Sequence, residues 1–232
     1  MKTFITQPTY LPWIGIFKAV EYCNNFVFYD DVQFERKSWQ SRNRILNKST
    51  GQEMFLTVPI KKADQKTPIN RIEISEPGFY ADHIKKIESN YKKTKYRDYI
   101  VSLLNEVYLN HHTKLADLNI DLTEKISEYI GIGRRFMRSS DLKISGNKFS
   151  RPLAIAQALK TSEYLTQIGT KGYLEIDKFE QCGIKVKFLD FIHPEYDQQK
   201  TGFLSHLSII DVLINTGPHE TKSLIQNIKF KS

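Results

Sequence analysis

The segment Gln7-Pro-Thr-Tyr-Leu-Pro-Trp-Ile-Gly15 follows the short apolar run Phe4-Ile5 and constrains the chain more than any other stretch. Each proline fixes its own φ and pushes the residue before it towards extended geometry. A rigid loop between a first strand (Thr3 to Thr6) and a first helix is expected. Trp13, Phe17 and Val20 recur at helical spacing, and Pro12 suits a helix start. Asn25-Phe-Val-Phe-Tyr29 is short, β-rich and closed by Asp30-Asp31. Strand, loop, helix and strand in this order read as a βαβ unit with a parallel pair. Ligands of open α/β sheets bind at the carboxyl ends of strands, so the stiff loop is the first candidate binding element.

The rest of the chain extends this pattern. Ser38 to Ile45 and Met54 to Ile60 flank the turn cluster Asn47-Lys-Ser-Thr-Gly51 and predict a β-hairpin. Asn70 to Ser75 alternates strictly and predicts a strand. Three apolar stripes between residues 79 and 131 predict three helices, ending at Gly131. Strands are then expected at 134–137, 163–166 and 185–189, and helices at 151–159, 177–182, 207–214 and 220–228. The expected class is α/β: a parallel or mixed sheet flanked by helices, a helical insertion around 79–131 and a hairpin around 38–60. With 232 residues and no linker or repeat, a single domain over 1–232 is the economical organisation.

Composition excludes several classes. Apolar residues make up 40% and charged residues 26%, which suits a globular chain and not a disordered one. No apolar run approaches the ~20 residues that span a bilayer, and no signal peptide is evident, so a cytoplasmic protein without membrane insertion is expected. Cys23 and Cys182 lie outside any CxxC or metal-ligand spacing and read as reduced thiols; no metal site is expected. The net charge of +8 suits nucleic acid, an anionic membrane surface or a phosphorylated small molecule, and a solvated basic surface is the simpler account.

Candidate chemistry gathers after the second strand. Asp30, Asp31 and Gln33 are followed by Arg36, Lys37, Arg42 and Arg44, a mixed cluster able to hold a phosphate through arginine while a carboxylate handles an amine. Alternation places Trp39 and Asn43 on one strand face and Gln40, Arg42 and Arg44 on the other. Gln7, Tyr10 and Trp13 are the loop's contribution. Ser139-Ser140 offers a cap or a hydroxyl pair. Gly169-Thr-Lys-Gly172, with Lys171 and then Tyr173, follows a strand as a turn whose amides suit an anion. Ser208, Asp211 and Asn215 form a polar stripe on an apolar helix, and a buried carboxylate there needs a partner. His111-His112 has poor metal geometry. His193, His206 and His219 sit in expected loops, and nothing in the sequence selects one of them as an acid or base.

Gln7-Pro-Thr-Tyr-Leu-Pro-Trp-Ile-Gly15, Val27-Phe-Tyr-Asp-Asp-Val-Gln33 and Lys37-Ser-Trp-Gln-Ser-Arg-Asn-Arg44 together resemble the WbqC family. The likeness continues through Leu56-Thr-Val-Pro59, Asn90-Tyr91, Ser139-Ser140, Tyr164-Leu165, Lys171-Gly-Tyr-Leu174, Gly183-Ile184 and Leu207-Ser-Ile-Ile-Asp211 to Gly217. The resemblance implies a role in bacterial O-antigen or other surface-polysaccharide synthesis. It suggests transfer of glycine or a similar small acyl group to the amine of a nucleotide-linked amino sugar, with Asp30 or Asp31 as the general base that such a reaction needs and Tyr10 and Trp13 as a flat surface for a sugar ring or base. The donor is open between ATP-dependent activation and an activated acyl or aminoacyl group. Two departures stand out: Thr6 occupies the place of the family's usual histidine before Gln-Pro, and Lys93-Thr-Lys-Tyr96 lacks a proline. A weaker likeness to the nucleotidyltransferase-like fold of pantothenate synthetase lacks the HxGH signature. An RNA- or tRNA-binding module and a non-catalytic assembly protein are the rival readings, and the oligomeric state is not legible.

Overall fold

Each of the first two strands carries large apolar residues in alternation, and this alternation decides the layering. In the computed structural model, which describes residues 1–146, 150–172 and 174–231, Lys2–Thr6 (β1) pairs in parallel with Asn25–Phe28 (β2). Phe4, Phe26 and Phe28 point to one side, where they interlock with Phe136. Ile5 and Val27 point to the other, into a cluster with Ile155, Tyr164 and Phe179. Both faces are therefore covered, as a parallel sheet requires.

The element between them is Ile14–Tyr22 (α1). After β2 the chain makes an antiparallel hairpin, Arg42–Asn47 (β3) with Gln52–Thr57 (β4). Three helices follow: Phe79–Asn90 (α2), Arg97–Tyr108 (α3) and Leu115–Ile130 (α4). The chain returns to the sheet with Arg135–Arg138 (β5), Arg151–Ala158 (α5), Glu163–Gln167 (β6), Ile176–Gln181 (α6) and Lys185–Leu189 (β7). It closes with Ile209–Asn227 (α7). Residues of the hairpin and of the helical insertion, such as Ile45, Ile87, Leu104 and Ile126, join Phe4 and Phe26 in one hydrophobic cluster. No helix among the described residues is long and apolar enough to cross a membrane.

The five sheet strands run β5-β2-β1-β6-β7, and every pair is parallel. The chain leaves β1 towards β2 and leaves β6 towards β7. The carboxyl ends of β1 and β6 therefore flank a topological switch point, where the two connections diverge and open a crevice.

Three sequence expectations are corrected. Residues 70–75 do not form a strand. Ile69–Arg71 is a 3-10 turn, and Glu73 and Ile74 make only isolated bridges. The reason is that their backbone bonds go to different places: Ile69 N–H donates to Val32, Asn70 to Asp30 and Ile74 to Thr113. Residues 38–41 stand outside the hairpin, as a turn. Leu11, which precedes Pro12, is not extended but has φ of 43°. The Asn43 side-chain amide donates to the carbonyls of both Tyr10 and Leu11, and Tyr10 N–H donates to the Trp39 carbonyl. These bonds hold the loop in a left-handed turn that leucine disfavours. The two expected C-terminal helices are both present: they are the two halves of α7, separated by the non-helical Gly217 (φ 77°) beside Pro218.

Candidate functional site

The crevice at the switch point is a cleft of about 990 Å³. Its floor is the ends of β1 and β6: Thr6 and Gln7 on one side, Thr166, Gln167 and Thr170 on the other. One wall is the proline-rich loop and the start of α1, with Trp13. A second wall is the segment after β2, with Tyr29, Asp31, Gln33 and Glu35. A third is the turn and hairpin, with Trp39, Gln40, Asn43 and Arg44, and the last is the start of α5, with Arg151.

Trp13 shows why this loop ends in glycine. A Cβ on Gly15 would fall inside the Trp13 ring, so only glycine lets the indole lie flat against the helix start. The other face of the indole meets His206 and His193, with ring centroids 4.9 and 5.8 Å away. Gln7 accepts a 2.8 Å bond from the buried Gln40 amide, whose own oxygen accepts from Glu35 N–H. The loop, the turn and the segment after β2 are thus fixed to one another by amides.

The two aspartates have different roles. Asp30 is fully buried and absent from the cleft wall. Its carboxylate accepts from Ser140 N–H at 3.1 Å and Ser140 Oγ at 2.8 Å, and its own N–H donates to Ser139 Oγ at 3.2 Å. It ties the end of β2 to the end of β5 from inside the core, so of the two candidate bases only Asp31 is on the cleft wall. Asp31 faces the cleft. It accepts from Ser139 Oγ at 2.5 Å and pairs with the Arg151 guanidinium. A carboxylate has about four acceptor sites, so two donors leave it able to take another. Arg151 also donates to the Ile144 carbonyl and lies over the Tyr29 ring, 5.4 Å from its centroid. The Tyr29 hydroxyl is buried without a partner among the described residues, and burial raises its pKa.

Several other expected site residues are placed elsewhere. Tyr10 is in the core, its hydroxyl bonded to His83 Nδ1 at 2.8 Å and Tyr108 at 2.5 Å, so it offers no surface to a ligand. Asp211 is buried and accepts from Tyr91 at 2.5 Å and Tyr196 at 2.7 Å. It joins α7 to α2's end and the loop after β7, and burial raises its pKa against the pull of those two donors. Ser208 caps α7 by accepting from Ile210 N–H. Neither lines the cleft, so the polar stripe is a core network. Ser139 and Ser140 orient the aspartates and do not line the cleft themselves. Lys37 and Lys171 are exposed and off the wall, although Gly169 and Thr170 of the glycine turn are on it. Tyr173 lies outside the described residues.

The arginines divide as well. Arg44 lines the cleft, pairs with Glu53, donates to the His206 carbonyl at 3.2 Å and lies 5.4 Å from the Trp39 ring. Arg42 is off the wall, over the Phe55 ring at 4.7 Å, with no carboxylate partner among the described residues.

Gln40 was grouped with Arg42 and Arg44 from the sequence, whereas Arg151, Thr166 and Thr170 were not singled out and His206 was not selected among the loop histidines. Arg151 did carry a signal. A cation in the first turn of a helix opposes the helix dipole, so an arginine beside Pro152 at the start of α5 calls for a carboxylate. His206 is held below the usual histidine pKa by burial and by Arg44 and Lys231. His193, packed against it at 4.9 Å, is pushed down to about 4 by burial. Its Nδ1–H donates to the Pro194 carbonyl, so Nε2 keeps its lone pair. At neutral pH both rings are neutral.

The arrangement provides a carboxylate on an arginine, a row of hydroxyl and amide groups on the floor, and two indoles at the sides. Comparison with known proteins places nearly the whole chain in one family. The family described as WbqC-like protein family matches residues 7–223. An uncharacterized protein of Mycobacterium tuberculosis is 30% identical over 219 residues, covering 93% of this chain and 94% of that one. No solved structure matches the chain.

Proposed function

Since the chain belongs to the WbqC-like protein family, we propose that it is an enzyme of bacterial surface-polysaccharide synthesis that joins a glycyl or similar small acyl group to the amine of a nucleotide-linked amino sugar. The observation that carries this reading is the cleft at the switch point, about 990 Å³, with Asp31 held on Arg151 at its wall. Its volume fits a ligand larger than a monosaccharide. Amide formation makes one N–C bond, breaks the bond from the acyl carbon to its leaving group, and releases one proton from the amine. Asp31 is our candidate for the group that receives the amine's proton, because it faces the cleft and retains acceptor sites. Thr6, Gln7, Thr166 and Gln167 are the candidates for holding sugar hydroxyls. Arg44 is the wall cation suited to the diphosphate.

A thermal-shift panel tests the reading. Wild type is compared with a UDP-linked amino sugar, ATP and bulk tRNA, at low and moderate salt. The expected result is stabilisation by the nucleotide sugar that survives moderate salt, about 2.7 kcal/mol at one hundred times Kd. A shift with tRNA alone, abolished by salt, would replace this reading with RNA binding.

A further inference from the structure

Trp39 is exposed where an indole of its size is normally covered. Its ring is nearly parallel to Phe55, at 20° and 6.3 Å, and Arg44 lies 5.4 Å from its centroid. Arg44 and Phe55 face each other across the hairpin, so they share a face and together support the indole from beneath. Yet 47% of Trp39 remains exposed, at the edge of the cleft. The support costs it rotational freedom before any ligand arrives. Beyond it, Arg42 lies over Phe55 and has no carboxylate partner among the described residues. The result is a rigid aromatic shelf bordered by guanidinium groups, opening onto a polar cleft. An open indole face is suited to a planar, electron-poor ring, and the adjoining arginines to the phosphates that such a ring carries.

We propose that the exposed face of Trp39 is the seat for the nucleobase of the ligand, with the diphosphate beside Arg44 and the sugar directed inward towards Asp31. The assignment rests on the nucleotide-sugar reading above and gives it a direction: base at the mouth, reacting amine inward against the wall that carries Asp31. A stacking seat tolerates any base, because every base has a π-face. The nucleotide is therefore recognised here by its flat ring and charge, and the sugar supplies selectivity deeper in the cleft.

The test is calorimetric titration of the full chain with UDP, dTDP and GDP, with inorganic pyrophosphate as the baseless probe. Trp39→Ala is compared with Trp39→Phe, which keeps a flat ring; both alter an exposed side chain, so folding is readily verified by unfolding curves. The chain has two tryptophans. Trp13→Phe therefore leaves Trp39 as the lone indole fluorophore. Expected results are about tenfold or greater weakening of all three nucleotides in Trp39→Ala, near-wild-type binding in Trp39→Phe and unchanged pyrophosphate binding. Quenching of Trp39 emission by UDP is expected in Trp13→Phe. Wild-type UDP affinity in Trp39→Ala would overturn the seat and leave the nucleotide-sugar reading standing. Failure of wild type to bind any of the nucleotides would overturn both. Binding of a single-stranded CCA oligonucleotide through Trp39, without binding of mononucleotides, would overturn the seat in favour of an RNA strand.

Discussion

Replacing Arg151 with alanine removes three interactions at once, and their sizes can be worked from the structure. The pair with Asp31 has side chains only 13% and 22% exposed. Breaking a fully buried pair costs about 3–5 kcal/mol and an exposed one about 0.2–1 kcal/mol, so this one should cost about 2 kcal/mol. The bond from Nε to the Ile144 carbonyl adds about 0.5–1 kcal/mol, and the contact with the Tyr29 ring about 0.5 kcal/mol. The total is about 3 kcal/mol, which for a chain of this length lowers Tm by about 6–12 °C. The assay is urea unfolding of Arg151→Ala, Asp31→Asn and the double variant. The cycle isolates the pair, with an expected coupling of about 1.5–2 kcal/mol. The coupling should persist in 0.5 M salt, because a largely covered pair is weakly screened. A coupling below about 0.5 kcal/mol would refute the reasoning, since it would make the pair an ordinary surface contact.

Three further outcomes follow from named contacts. Gly15→Ala forces the Trp13 ring off the helix start towards the cleft, so stability should fall by about 1–3 kcal/mol and Trp13 emission should shift in a Trp39→Phe background. An unshifted spectrum would show that the ring was not held there. Gly217→Ala places a Cβ 2.5 Å from the Tyr96 ring at a φ of 77°, with an expected cost of about 3 kcal/mol in urea unfolding; a cost below about 1 kcal/mol would contradict the packing at the kink. His83 has its pKa pushed down to about 4 by burial, and as a neutral ring its Nε2–H donates to the Thr57 carbonyl while Nδ1 takes the Tyr10 proton. A depressed folded pKa gives stability that is present above about 6.5 and lost as pH falls towards 4. Wild type should therefore lose more stability than His83→Gln across that window, by on the order of 2–3 kcal/mol at pH 4, and parallel stability curves would reject the assignment.

The parts of the fold that were legible in the sequence are those set by local period. Phe4-Ile5 and Asn25 to Phe28 gave the parallel pair because both faces of those strands are apolar, and the three stripes between 79 and 131 gave α2, α3 and α4. The strand expected at 70–75 failed because its alternation has no continuous neighbour: Ile69 and Asn70 bond to the segment after β2, whereas Ile74 bonds to Thr113 and Ser75 to Pro59. The candidate site divides the same way. Asp31, Trp13, Trp39 and Arg44 lie close in sequence to the strand ends that expose them. Tyr10 and Asp211 look like ligand-facing groups until the helices that bury them are in place. Asp30 and Asp31 are adjacent and chemically identical; Ser139 and Ser140, which separate their roles, arrive more than a hundred residues later. Arg151 is equally distant, and its position at a helix start was the one local sign of a missing carboxylate.

The most direct measurement of the central claim is mass spectrometry of a UDP-linked amino sugar incubated with the protein and glycine plus ATP, or with glycyl-tRNA. The account expects a single product carrying one glycyl amide, formed by wild type and lost in Asp31→Asn. Recovery of the unmodified amino sugar with every donor, from protein that binds the nucleotide sugar, would contradict it.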